Sequence, residues 1–126
     1  MKSKVAAAVA VSLLITAGTV FAHAYPNRLV KVVVPFAAGG GTDVMARIIS
    51  QKLTEAWSQP VVVENRTGAG GIIGADAVAK SVPDGYTYLI GTTTTTINAS
   101  LVTKPPYNMQ RDLQPVAMLS FYPMAV

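Results

Sequence analysis

Between Pro26 and Pro35 the chain runs through a β-rich stretch, Arg28 to Val34, and then changes period. Three glycines follow. From Asp43 to Trp57 the apolar positions Val44, Ile48 and Leu53, with Met45, Ile49 and Ala56, recur at helical spacing. The unit then repeats: Pro60 to Glu64 ("PVVVE") is a short apolar strand, "RTGAGG" a second glycine-rich turn, and Ile72 to Val82 a small-residue helix closed by Pro83. In "PDGY", Pro83 presets the backbone and Gly85 accepts a positive φ, which predicts a turn before a third strand, Tyr86 to Ile90. The five threonines from Thr92 to Thr96 predict extended, packed backbone leaving that strand, with the first two placed to turn hydroxyls toward a cleft. Strands alternating with helices through short loops imply an α/β fold with a parallel sheet covered by helices. Such sheets bind ligands where strand carboxyl ends meet helix N-termini, and both glycine loops fall there.

Residues 1 to 24 follow a different pattern. Lys2 and Lys4 precede an apolar stretch from Val5 to Ile15, and "AHA" closes it with small residues at the two cleavage-determining positions. This is the pattern of a secretory signal peptide cleaved after Ala24, with cleavage after Ala22 as the alternative. The apolar stretch is shorter than the roughly 20 residues a bilayer span needs. Removing it leaves 102 of 126 residues, enough for one small domain. The formal charge also drops, from +4 to +2, because Lys2 and Lys4 leave and all the acids remain. With basic residues scattered singly, no nucleic-acid-binding patch is built. Trp57, Tyr86, Tyr88 and Tyr107 also sit singly and read as core or rim.

The absence of cysteine excludes disulfides, thiolate metal sites, a cysteine nucleophile and a lipid-modified cysteine tether. His23 is the one imidazole and leaves with the signal peptide, so neither a serine–histidine pair nor a histidine metal cluster can form. No metal and no cofactor are expected. Asp112 to Val126 is apolar and lacks a terminating turn, charged tail or closing helix. That predicts an N-terminal fragment of a longer protein; the alternative is a complete small domain with an apolar last strand, an edge prone to pairing.

The first glycine loop, "VPFAAGGGTDVMAR", has the chemistry of an anion cradle. Gly39, Gly40 and Gly41 let a ligand approach the backbone, and the following helix start offers unpaired N–H groups with partial positive charge. Thr42 can cap that helix or present a hydroxyl to the ligand. Asp43 argues against phosphate, and the P-loop lysine is absent. It reads as a first-turn acid paired with Arg47, or else as an acceptor for a polar ligand group. In the second loop a dinucleotide fingerprint fails by one position, since Ile73 stands where glycine is needed and Gly74 comes one residue late.

Three segments taken in order carry a family resemblance: "YPNRLVKVVVPFAAGGGTDVMARIISQKL", "QPVVVENRTGAGGIIGADAVAKSVPDGYTYLIG" and "PPYNMQRDLQPVAML". Together they resemble the Bug-type periplasmic substrate-binding proteins of tripartite tricarboxylate transporters. The resemblance implies a two-lobed Venus flytrap fold of the type II periplasmic-binding-protein class, in which 25–126 forms most of the N-terminal lobe and the start of the crossing strands. It also implies a monomeric periplasmic receptor, without catalysis, that captures a small organic acid and delivers it to membrane permease subunits. The acid's carboxylate would be held by backbone groups and ordered water. The residues implied are Phe36, Gly39, Gly40, Gly41, Thr42 and Asp43 in the first loop, Ala69, Gly70 and Gly71 in the second, and Thr92 and Thr93 at the third strand end. Alanines at 37 and 38 and Thr67 stand where the family usually has prolines, which loosens each loop by about 0.4 to 1 kcal/mol. Two other readings compete: an exported α/β enzyme using Asp43 or Glu64 as general base, and a non-functional truncated product.

Overall fold

The computed structural model describes residues 25–121; the expected signal peptide, 1–24, lies outside them, as do the last five residues. Three parallel strands form one sheet: β1 (Val30–Val34), β2 (Val61–Asn65) and β3 (Thr87–Leu89), in the order β2-β1-β3. Val30 aligns with Val61, and Lys31 with Thr87. Helix α1 (Gly41–Trp57) connects β1 to β2, and α2 (Ile72–Ala79) connects β2 to β3 across β1. After β3 come α3 (Thr93–Leu101) and a short α4 (Met109–Asp112). Among the described residues no helix is long and apolar enough to cross a membrane.

The predicted α/β alternation is therefore formed, and its core lies on the central strand. Val30, Val32, Val33 and Val34 are all buried. Val30, Val32 and Val61 pack with Leu53 and Trp57 of α1 and with Tyr86, Tyr88 and Ile90. Because the crossover from β1 to β2 and that from β2 to β3 run in opposite directions along the sheet, the right-handed rule places α1 and α2 on opposite faces.

Several local expectations need correction. Helix α1 begins at Gly41, two residues earlier than predicted, and turns Asp43, Ala46 and Ser50 inward, whereas Val44 and Ile48 are exposed. The small side chains at 46 and 50 let α1 sit close to the sheet, so size decided which face was buried. The helix predicted to reach Val82 ends at Ala79, three residues earlier. The threonine run is helical. Thr92 is the N-cap, its hydroxyl accepting from the Thr95 amide while the Thr95 hydroxyl accepts from the Thr92 amide, so capping chemistry outweighs the β-branched preference. The apolar tail forms neither helix nor strand from Leu113 to Phe121, and Val116, Met118 and Phe121 are exposed.

At the amino end of the sheet the aromatics meet. Tyr25 packs edge-on against Trp57 and Tyr86, with centroids 6.1 and 5.1 Å apart, and its hydroxyl lies 2.6 Å from that of Tyr88. Desolvation, then the Tyr88 hydrogen bond, raises the Tyr25 pKa. Arg28 stacks 4.0 Å over the Tyr86 ring and pairs with Asp84 at 2.7 Å. Gly85 has the expected positive φ, +78°.

Gly74, which missed the dinucleotide fingerprint, has a packing role. A Cβ there would lie 2.8 Å from the Arg66 carbonyl oxygen and 2.8 Å from the Pro35 Cβ, and neither can swing away. Gly74→Ala is expected to destabilise the fold by about 1 to 3 kcal/mol. Gly91→Ala, whose Cβ meets nothing within 4 Å, serves as the near-neutral control. Equal denaturation midpoints for the two variants would refute this account.

Candidate functional site

The sheet order β2-β1-β3 makes the gap between β1 and β3 a topological switch point: the connection from β1 goes to β2 on one side, and the next connection passes back across β1 to β3 on the other. In open α/β sheets such a gap opens a crevice at the carboxyl ends of the strands. Residues 35–40, 66–71 and 90–92 all lie at that end.

Loop one is braced by a buried carboxylate. Asp43, in the first turn of α1, is 2% exposed. Its Oδ2 accepts from the Gly39 amide at 2.9 Å and from Arg47 Nε at 2.9 Å, and its Oδ1 accepts from Asn65 Nδ2 at 2.9 Å. Asn65 also donates to the Phe36 carbonyl at 3.1 Å and accepts from Arg47 at 3.1 Å. The Arg47 hydrogen bond first, then the Gly39 amide and Asn65, hold the Asp43 carboxyl well below the usual carboxylate range. Of the two readings of Asp43, the pairing with Arg47 is formed. The acid faces into the protein and shapes the loop.

The helix start behind that loop has no side-chain cap. Gly40 is the N-cap, with extended backbone (φ −75°, ψ 164°), and Thr42 lies inside the helix, so the expected Thr42 cap is not made. Gly39 requires glycine, with φ +84°. Gly40 and Gly41 have negative φ, and a Cβ on either would meet at most the Ala37 carbonyl oxygen, 3.5 Å from Gly40. Neither conformation nor packing asks for glycine at 40 or 41.

Loop two is unusual backbone. Gly68, Ala69, Gly70 and Gly71 all have positive φ (130°, 47°, 63° and 96°), Ala69 being one of two non-glycine residues in that region among the described residues. Helix α2, like α1, starts without a side-chain cap. A Gly71 Cβ would stand 3.4 Å from Pro35 Cβ, 3.7 Å from Phe36 Cζ and 3.2 Å from Thr95 Oγ1, so both loops and α3 converge here. Phe36, Gly39, Gly40, Gly41, Ala69, Gly70 and Gly71 are thus gathered at one end of the sheet. Thr92 is there as the cap of α3, its hydroxyl engaged with Thr95, and Thr93 is exposed beside it.

This end is an open ledge. Two shallow grooves, of about 270 and 370 Å³, lie elsewhere, beside Arg28 and Tyr86 and beside Ser50 and Val62. Glu64, the other candidate base, is paired with Lys31 at 2.9 Å and with Arg66; the Lys31 contact, then Arg66, lowers its pKa. Neither carboxylate is poised to take a proton. Among the described residues no cluster of His, Cys, Asp and Glu could hold a metal. Sequence reasoning missed Asn65, which ties β2 to both Phe36 and Asp43. Its one sequence signal is an amide at the end of an apolar strand, just before a glycine loop.

Because Asp43 titrates below its ordinary 3.8 in the folded state, its pairing stabilises the fold in full above about pH 5 and is lost as pH falls through the unfolded value toward the native one. Asp43→Asn is therefore expected to be less stable than the parent at pH 7, with the gap closing on acidification to about pH 2. Urea titrations at stepped pH check this; a constant gap would remove Asp43 as the titrating group.

Comparison with known proteins adds the following. Residues 45–126 match the model of the family described as tripartite tricarboxylate transporter family receptor. The chain is 46% identical over 112 residues to Protein BugT of Bordetella pertussis, covering 87% of this chain and 34% of that one. It is also 46% identical over 100 residues to a UPF0065 protein from the tcbD-tcbE intergenic region of Pseudomonas sp., covering 79% and 30%. Among solved structures, MatC from Rhodopseudomonas palustris with bound malate aligns at TM-score 0.70 and 43% identity, over 75% of this chain and 33% of that one. The R. palustris protein Rpa4515 with adipate aligns at 0.52 and 49%, over 53% and 22%. The chain spans about a third of the length of the curated relatives it matches.

Proposed function

Since the chain belongs to the tripartite tricarboxylate transporter receptor family, we propose that it forms the carboxylate-receiving side of a periplasmic solute receptor. The ligand is a small organic acid. Relatives of similar sequence hold malate and adipate, two dicarboxylates, which fits a cradle built from backbone dipoles. Membrane permease subunits of the transporter receive the acid, and the second wall of the site belongs to a further lobe.

The observation that carries this reading is the pair Gly40 and Gly41. The fold has no need of glycine at either, yet both stand at an uncapped helix start beside a second uncapped helix start. Missing Cβ atoms there leave room for an anion to reach the N–H groups. Asp43 does not repel that anion as an exposed carboxylate would, because its charge is buried and shared with Arg47, Asn65 and the Gly39 amide. The site binds without chemistry: its two carboxylates are engaged in ion pairs, and capture needs only that the ligand favour a closed state over an open one. That observation weighs against the exported-enzyme alternative.

The test uses protein expressed from the complete reading frame, titrated with malate, succinate and adipate by calorimetry, with the ligand analysed afterwards. At least one acid is expected to bind and be recovered unchanged. Gly40→Val is expected to lower affinity at least about tenfold, the worth of one well-placed charged hydrogen bond, while leaving the melting temperature close to the parent's. Retained affinity in that variant would overturn the cradle, and consumption of the acid would overturn the receptor.

A further inference from the structure

Helix α3 contributes two side chains to the second loop that lie outside the expected site residues, and one of them hydrogen-bonds to it. Asn98 Nδ2 donates to the Gly70 carbonyl oxygen at 2.9 Å. The approach is close: a Cβ on Gly70 would lie 2.0 Å from that nitrogen. One turn earlier on the same face, Thr95 is fully buried, with its hydroxyl facing Gly71. The loop these two side chains touch carries four successive positive φ angles, one of them at Ala69. A left-handed φ at a non-glycine residue such as Ala69 persists only where its surroundings over-determine it.

The loop's own hydrogen bonds are few. The Gly71 amide donates to the Gly68 carbonyl at 3.0 Å, and the Ile72 amide donates to that of Ala69. Asn98 supplies the side-chain hydrogen bond to the Gly70 carbonyl and so ties the loop to α3. We propose that Asn98 is a positioning residue: it fixes the left-handed second loop against α3 and so sets where its backbone N–H groups meet the ligand carboxylate. The role in binding rests on the receptor reading; the role in ordering the loop does not.

The experiment separates the two. Amide exchange at Gly71 and Ile72 is followed without ligand in the parent, in Asn98→Leu, which removes the donor at similar size, and in Asn98→Gln, which keeps one. Ile90, whose amide donates to Val33 in the sheet, is the control for global opening. Malate and adipate affinities are measured alongside on protein from the complete reading frame. Asn98→Leu is expected to speed exchange at Gly71 and Ile72 about fivefold with Ile90 unchanged, and to weaken acid binding by a similar factor, with Asn98→Gln recovering part of both. Faster loop exchange in a protein that binds neither acid, even as the parent, would retain the ordering role and sink the receptor reading. Unchanged loop exchange would overturn the proposal, as would faster exchange with undiminished affinity, or a Gln variant no better than Leu. If affinity falls without any change in exchange, Asn98 touches the ligand itself and the positioning role is refuted.

Discussion

Asp43 carries a charge in a place where a charge cannot survive unpartnered, and the carboxyl end of the sheet is arranged around that constraint. Taking an ionised carboxylate out of water costs several kcal/mol unless donors replace the solvent. Here the donors come from three separate parts of the chain: the Gly39 amide in the loop after β1, Arg47 one turn along α1, and Asn65 at the end of β2. Each of those groups is fixed in turn by what it must supply. The first glycine loop, the start of α1 and the end of β2 are thereby tied to one another by a side chain that is itself hidden from solvent. The shape of the glycine ledge is set from behind.

This explains how a loop with alanines at 37 and 38 and three glycines holds a definite shape. Backbone freedom at 39–41 is offset by anchoring on both sides, Asn65 to the Phe36 carbonyl and Asp43 to the Gly39 amide. The second loop uses a different means. It has no buried charge and relies on contacts with Pro35, Phe36 and α3.

Much of this was legible in the sequence wherever the signal is local. A valine-rich run between Pro26 and Pro35 and another after Pro60 mark β1 and β2 within a residue or two, and Pro83 and Gly85 mark the turn before β3. At Thr92 to Thr96 two local signals compete: β-branched side chains suggest extended backbone, yet the same hydroxyls cap a helix, and capping prevails. Along α1 the apolar spacing marks Leu53, which packs on the core, but also Val44 and Ile48, which are exposed, while the small Ala46 and Ser50 are buried. Asn65 was illegible for another reason. Its partners Phe36 and Asp43 stand 29 and 22 positions away, and no spacing rule links them. The aromatics, scattered singly along the chain, meet because parallel strands bring every strand start to one end of the sheet.

Trp57, the single tryptophan of the sequence, belongs to that aromatic end. Helix α1 spans 17 residues, so its last residue stands about 25 Å from its first turn, where the glycine ledge lies. The intrinsic fluorescence of this chain therefore reports on the aromatic packing at the base of the sheet and is optically remote from the ledge. Emission would register the docking of Tyr25 beside the indole, making the chain's built-in chromophore a gauge of how that ring is seated.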